Sequence, residues 1–388
     1  MTDLNPILHR GRAAIVGAAE SDLGEVGPGF SALDLMAQGV QRALADSGLG
    51  LRDVDGLFCA TTQSRMAGLA LAEYLNLPEA YIDSTSTGGS SFMGHLARAV
   101  QAVEAGICKV AVVAYGSTQR SLGRKNTSPP ERNPYEAPFK PFLPPTAYAL
   151  AAARHMHEFG TTREQLAEVA VAARQWALRN PVAWEKEPLT VEQVLASRMV
   201  SHPLTIRDCC LVSDGGGAIV VTSAERARRL PKPPVHLLGA GHVTTHLTIS
   251  NMPNLVETGA RRAGEIAYAQ AGVGPRDIDV VGVYDAFTIN TILFLEDLGF
   301  CAKGEGGAFV SGGNIAPGGS LPVNTNGGGL SYCHPGMYGL FLLIEAVRQL
   351  RGECGDRQVP GAEIALAHGN GAVLSSQYTV ILGGAETA

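Results

Sequence analysis

At 388 residues the chain is longer than one hydrophobic core usually encloses, so two domains or one duplicated domain are expected. With 30 Lys and Arg against 36 Asp and Glu there is no global basic field for nucleic acid, and 6% aromatic residues are too few for base-stacking platforms, which leaves small-molecule chemistry. No run approaches the ~20 apolar residues of a membrane span. The start M-T-D-L-N-P lacks the basic and apolar segments of a secretory signal, and seven cysteines without a C-x-x-C pair argue against a disulfide framework or a zinc site. A cytoplasmic protein without a metal is expected.

Ala13, Ile15 and Val16 mark a first strand over 12–19. A helix follows from Ser31 as N-cap, with Leu33, Leu35, Met36, Val40 and Leu44 at helical spacing and Gly48 as the stop. The phrase S-G-L-G-L-R-D-V-D-G-L-F from Ser47 leads into a strand over 56–60. S-T-S-T-G-G-S-S-F at Ser84 to Phe92 then opens a helix ending at Gly106, with a strand over 109–115 beyond. From Gly116 to about Ser201 the alternation breaks. R-S-L-G-R-K-N-T-S-P-P-E-R-N-P is too long and Pro-rich for a simple connection, and with helices at about 145–159 and 163–179 it forms an inserted loop subdomain, about 117–201. The first half resumes through D-C-C-L-V-S-D-G-G-G-A-I-V-V, and Pro231 to Pro234 form a hinge.

The second half repeats the first. A-G-V-G-P-R-D-I-D-V-V-G-V at Ala271 places Arg276-Asp277 where the earlier phrase has Arg52-Asp53. A helix ending at Gly352 before a strand over 363–368 echoes the helix ending at Gly106. Two copies of one α/β unit, 1–232 and 233–388, each with a mostly parallel sheet covered by helices, are therefore expected.

Chemistry gathers at V-N-T-N-G-G-G-L-S-Y-C-H-P-G-M-Y-G, Val323 to Gly339, where Asn324, Asn326, Ser331, Tyr332, Cys333, His334 and Tyr338 surround three glycines. Helical spacing of Met337, Leu340, Leu343, Ile344 and Val347 predicts a helix from about Pro335, putting His334 at its positive end. The plainer reading is a glycine-rich turn with a polar cap. The 84–92 loop carries Ser90 and Ser91 and serves either as a hydroxyl-rich helix cap or as an oxyanion site. Tyr284 and Asp285 in V-Y-D-A-F stand at a strand exit where α/β sheets place ligands, although a core tyrosine is the commoner case. A-H-G-N-G-A at 367–372 adds His368 and Asn370 at another strand exit, where a lone histidine is more often structural. Arg120, Arg124, Lys125, Arg132 and Lys140 either solubilise the insertion or meet the phosphates of a ligand such as coenzyme A. No Walker lysine loop is present, and G-A-G-H at 239–242 lacks the rest of a dinucleotide fingerprint.

These residues resemble the thiolase superfamily, in particular its sterol-carrier and lipid-transfer branch. Y-D-A-F stands where thiolases carry N-E-A-F or H-D-C-F, and N-T-N-G-G-G-L-S-Y-C-H-P-G where they carry N-x-x-G-G-x-x-x-x-G-H-P. The resemblance implies the thiolase fold, two duplicated α/β halves in a layered α-β-α-β-α arrangement, and a homodimer. A thiolase, however, needs a nucleophilic cysteine at the start of the helix ending at Gly106, and that place falls on Gly89, flanked by Gly88, Ser90 and Ser91. The second cysteine of many thiolases is absent from G-N-G-A too.

The pattern is similar to the lipid-transfer-protein aldolases, which cleave a β-hydroxyacyl-CoA without a covalent intermediate. That similarity implies that one phenol, Tyr284 or Tyr332, is the base on the substrate hydroxyl while His334 donates to the thioester oxygen. The 88–91 loop supplies further oxyanion donors, and Asp285, Asn324, Cys333, His368 and Asn370 support the site. Glycine in place of cysteine leaves room for a bulkier substrate carbon. Coenzyme A enters as part of the substrate with no tightly bound cofactor, and a small partner with an OB fold and a zinc ribbon is implied. The runner-up is a C-acyltransferase resembling acetyl-CoA acetyltransferase and using Ser90, Ser91 or Cys333. A non-catalytic acyl-CoA or lipid-binding subunit is the third reading.

Overall fold

A computed structural model describes residues 11–123 and 133–387. The first half runs β1 (Ala13–Glu20), α1 (Ala32–Ser47), β2 (Gly56–Cys59), α2 (Ala67–Tyr74), β3 (Tyr81–Asp83), α3 (Ser91–Glu104) and β4 (Val110–Ser117). The insertion carries α4 (Gln119–Leu122), α5 (Pro145–Phe159), α6 (Arg163–Ala177), α7 (Val191–Leu195) and the strand pair β5 (Met199–Ser201) and β6 (Leu204–Thr205). The chain returns through β7 (Gly215–Ser223) and α8 (Ala224–Ala227). The second half follows as β8 (His236–Thr244), α9 (Ala260–Ala271), β9 (Val280–Val283), α10 (Thr288–Asp297), α11 (Gly306–Val310), α12 (Gly339–Arg351), β10 (Ile364–Gly371) and β11 (Ser376–Gly383).

The sheets are ordered β1-β7-β4-β2-β3 and β8-β11-β10-β9, so the second repeats the first except for the extra edge strand β3. Neither is mostly parallel, contrary to the sequence expectation. β7 runs antiparallel to both β1 and β4, and β11 to both β8 and β10, leaving parallel pairs only among β2, β3 and β4 and between β9 and β10. The reason is connectivity. The helix-strand alternation stops before the last strand of the second half, and β11 follows β10 through a short hairpin, which can only pair antiparallel.

Helices α3 and α12 lie between the two sheets, α1 covers the outer face of the first, and α9 covers that of the second. This is the five-layer α-β-α-β-α arrangement. Phe92 and Leu96 of α3 and Leu340 and Ile344 of α12 are fully buried in the middle layer, each burial contributing about 1.5–3 kcal/mol.

The duplication extends to packing. A Cβ on Gly17 would stand 2.1 Å from the Ala43 carbonyl oxygen of α1, and a Cβ on Gly239 would stand 2.1 Å from the Ala267 carbonyl oxygen of α9. Only glycine lets each outer helix lie so close to its first strand. Both Arg-Asp phrases form single 3-10 turns, Asp53 accepting from the Gly50 N–H at 2.9 Å and Asp277 from the Gly274 N–H at 2.7 Å. Ser31 caps α1 and Gly48, at φ 74°, ends it, as expected.

The helix expected from Pro335 begins later, at Gly339 with Tyr338 as N-cap. Gly336 is left-handed at φ 95°, and the buried Tyr115 hydroxyl donates to the Pro335 carbonyl while accepting from the Met337 N–H at 3.0 Å. These contacts hold 335–338 in an irregular turn, and His334 therefore lies ahead of the helix instead of at its end.

Candidate active site

Tyr284 leaves β9 with its backbone N–H donated to the His368 carbonyl at 3.0 Å, so the phenol is fixed by the parallel β9–β10 pair. Its ring lies directly against Gly89. A Cβ at position 89 would be 2.1 Å from Tyr284 Cε2, 2.6 Å from Cζ and 2.7 Å from the Asn370 carbonyl oxygen. The space that glycine leaves is thus taken by the Tyr284 ring and is not left open for a substrate carbon.

The Tyr284 hydroxyl lies 3.1 Å from His334 Nε2, accepts from the Tyr338 N–H at 3.0 Å, and is 3.4 Å from the Gly336 carbonyl oxygen. Since Tyr338 is the N-cap of α12, the phenol oxygen, and not His334, occupies the positive start of that helix. His334 is fixed by its own backbone, its N–H donating to Ser213 Oγ at 2.9 Å. Burial disfavours charge on both partners. It lowers the His334 pKa to about 4 and pushes that of Tyr284 well above the usual phenol value, the Tyr338 N–H acting in the opposite direction. The pair rests neutral, with the proton on the phenol.

The rest of the glycine-rich stretch supports this pair. Residues 328–332 make one π-helical turn, entered through Gly327 at φ 102°. Asp285 accepts from the Gly329 N–H at 2.7 Å and the Leu330 N–H at 3.4 Å, and burial raises its pKa to about 7. Asn324, itself at φ 52°, accepts from the Val283 N–H at 2.8 Å, and Asn326 accepts from the Gly328 N–H at 2.9 Å and the Tyr338 hydroxyl at 2.8 Å.

The side chains of the other sequence candidates make their hydrogen bonds away from the phenol–imidazole pair. The Tyr332 hydroxyl donates to Glu20 Oε1 at 2.8 Å, and Glu20 is held by Arg348 at 2.6 Å. Ser90 Oγ bonds the Thr87 carbonyl at 3.1 Å and Ser376 Oγ at 2.9 Å, while Ser91 Oγ donates to the Gly88 carbonyl at 2.7 Å and accepts from the Thr87 N–H at 2.8 Å. Among the described residues, an imidazole reaches Ser90 through Ser376, whose Oγ is 3.1 Å from His242 Nε2. Cys333 is buried and its pKa is driven well above that of a free thiol, so it stays protonated. His368 has both ring nitrogens engaged at 2.8 Å, by Thr379 and Gln377, and Asn370 bonds the Tyr148 hydroxyl at 2.9 Å and Gln377 at 2.8 Å.

Of the basic residues, Arg120 pairs with Glu25 at 2.8 Å and stacks 4.5 Å over Trp184. It lines a cavity of about 380 Å³ with Arg174, Arg207, Trp184, Cys210 and Ser331. Lys140 is exposed on the insertion. Arg124, Lys125 and Arg132 lie outside the described residues. Sequence reasoning missed Tyr115, Tyr148 and Glu20, because each reads as an ordinary strand or helix position and acquires its role from a partner 220 to 312 residues away.

Residues 241–384 match the family described as thiolase C-terminal domain-like. Over 365 residues, 88% of this chain and 91% of the relative, the sequence is 38% identical to the steroid side-chain-cleaving aldolase of Thermomonospora curvata. The chain belongs to the thiolase superfamily, in its lipid-transfer branch. This thiolase-superfamily member is also 37% identical, over 88% of its length and 92% of the relative, to the 17-hydroxy-3-oxo-4-pregnene-20-carboxyl-CoA lyase of Mycobacterium tuberculosis. Among solved structures, the Ltp2-ChsH2(DUF35) aldolase superposes with a TM-score of 0.87 at 34% identity, covering 97% of this chain and 98% of that one. The expected thiolase fold and the relation to lipid-transfer-protein aldolases are borne out. No helix among the described residues is long and apolar enough to cross a membrane.

Proposed function

We propose that this protein is a C–C lyase that cleaves a β-hydroxyacyl-CoA by a retro-aldol step, with Tyr284 and His334 as the proton-transfer pair. The observation that carries the reading is the Tyr284 ring pressed on Gly89, its hydroxyl 3.1 Å from His334 Nε2. A base occupies the place where an acyl-carrying sulfur would stand.

In the proposed step the Tyr284 oxygen accepts the proton of the substrate hydroxyl as its own proton passes to His334 Nε2. The C2–C3 bond breaks, C3 becomes a carbonyl, and the electron pair moves into the thioester as an enolate. His334 then returns the proton to C2, releasing an acyl-CoA. In this scheme His334 carries the proton instead of donating a hydrogen bond to the thioester oxygen. Burial makes an isolated phenolate or imidazolium costly, but an imidazolium beside an enolate is paired at the moment it forms.

The test is a variant panel assayed with the pregnene-carboxyl-CoA thioester that the Mycobacterium tuberculosis relative is named for, with the partner protein present. Tyr284→Phe and His334→Ala should each lower turnover by about 10²-fold or more, as expected for general-base catalysis. Tyr332→Phe, Ser90→Ala, Ser91→Ala and Cys333→Ala should be milder. Because His334 must be neutral to accept a proton, kcat/KM should fall only as pH drops toward about 4, and show no alkaline loss below the usual phenol range. An acyl adduct seen by intact mass, with a serine or Cys333 variant inactive and Tyr284→Phe active, would establish the acyltransferase reading instead.

Coenzyme A enters here as part of the substrate, with its phosphates near Arg120 and the other basic residues of the insertion. The cavity that Arg120 shares with Arg174 and Arg207 supports that placement. The halves are taken as 1–232 and 233–388. The DUF35 component of the solved aldolase complex supports a small partner protein, and the OB-fold and zinc-ribbon kind is the one that the family resemblance implies. All seven cysteines are free, which fits a reducing cytoplasm. A homodimer through the β3 edge completes the assembly.

A further inference from the structure

Among the described residues, the buried amides around Tyr284 are paired with one exception. Asn324, Asn326, Asn370 and Gln377 all have partners at 2.8–2.9 Å. Asn290, on the first turn of α10, is 0% exposed, and neither its Oδ1 nor its Nδ2 has a partner. A primary amide out of water without hydrogen bonds is unfavourable, and natural cores seldom keep one unless something else fills the valence.

The position of Asn290 points to what fills it. It follows Tyr284 by six residues on the same strand-to-helix connection, with Phe287 between them stacked on the Tyr148 ring at 4.4 Å and 24°. The Asn290 amide approaches the Tyr148 hydroxyl without meeting hydrogen-bond geometry. That hydroxyl is already committed, donating to the Ala372 carbonyl at 3.0 Å and accepting from Asn370 Nδ2 at 2.9 Å. Asn370 in turn presents its backbone carbonyl beside Gly89 and the Tyr284 ring. Asn290 is therefore linked through Tyr148 and Asn370 to the place where Gly89 meets the Tyr284 ring.

The retro-aldol step has a matching need. The enolate places negative charge on the thioester oxygen, and His334 Nε2 is committed to the Tyr284 proton, so a separate neutral donor is required. We propose that Asn290 is that donor, its Nδ2–H bonding the thioester oxygen as the C2–C3 bond breaks. This assignment rests on the lyase reading above. An amide suits the role because it gives a hydrogen bond without bringing a competing proton.

Asn290→Leu and Asn290→Ala test the proposal, with two activities followed. One is cleavage of the pregnene-carboxyl-CoA thioester. The other is exchange of the C2 protons of propionyl-CoA in deuterated water, which needs the enolate but no C–C bond. Both variants should lose about 10²-fold or more in each activity, in kcat more than in KM, the usual size for one oxyanion donor. Asn290→Leu should meanwhile keep or raise the thermal midpoint, because it replaces an unpaired amide with an apolar group of similar size. If wild-type protein is active in both assays and the variants keep wild-type rates, Asn290 is only an unmatched core amide and the proposal is overturned. If wild-type protein neither cleaves nor exchanges, the lyase reading itself falls and takes this assignment with it.

Discussion

Glycine at position 89 was legible in the sequence as the place of a missing cysteine, because the helix ending at Gly106 fixes the count. That a phenol fills the space was not legible, since Tyr284 is 195 positions away in the other half and reads as an apolar-strand tyrosine. The two residues are sterically linked, so restoring a side chain at 89 cannot simply restore a thiolase. Gly89→Ala should destabilise the protein by about 1–3 kcal/mol through overpacking, and should reduce cleavage because the phenol must move. In the Tyr284→Ala background the same Gly89→Ala change should cost less, because the ring contact is gone, and activity should not return. A double-mutant cycle by chemical denaturation, together with turnover, checks both parts. Additive stability losses would mean that the ring and Gly89 are not in contact.

At the scale of elements, the glycine-rich stretch was recognisable by composition, yet its helix was expected four residues too early. Hydrophobic periodicity starts at Met337, but the backbone at 335–338 is held by the Tyr115 hydroxyl, a long-range contact that no local pattern carries. The turn at 328–332 depends in the same way on Asp285, whose carboxyl bonds two of its N–H groups and would meet any Cβ on Gly328 at 2.0 Å. This carboxyl titrates at about 7 in the folded protein against an ordinary value of 3.8. Between those values the folded state binds more protons than the unfolded one, so stability should fall as pH rises through the window, by about 1.4 kcal/mol per pH unit at most. Asp285→Asn keeps an acceptor for the Gly329 N–H and should remove that slope. Urea denaturation at several pH values across the window measures it, and an unchanged slope in the variant would place the titrating group elsewhere.

For the whole molecule, the two sheets match strand for strand until β3, which belongs to the first half alone and lies at its edge. Phrase-level repeats revealed the duplication because the turns at Arg52-Asp53 and Arg276-Asp277 serve the same corner twice. The antiparallel last strand was not visible, because strand direction is set by connections across the fold. The β3 edge leaves backbone N–H and C=O groups unpaired, an arrangement that natural proteins normally cover. Beside it Met66, at the N-cap of α2, is 67% exposed and Leu69 of α2 61%, with Tyr74 and Tyr81 half exposed. A second copy related by a twofold axis would pair β3 with its own equivalent and bury these side chains, an isologous contact that closes on itself. Sedimentation equilibrium at micromolar concentration should therefore give about 81 kDa, twice the 40.5 kDa of one chain. Leu69→Glu with Tyr81→Lys puts charge on the apolar face and the strand edge, and should shift the mass toward that of one chain while leaving circular dichroism unchanged. A wild-type protein that sediments as a monomer would show that this edge is covered by something other than a second copy.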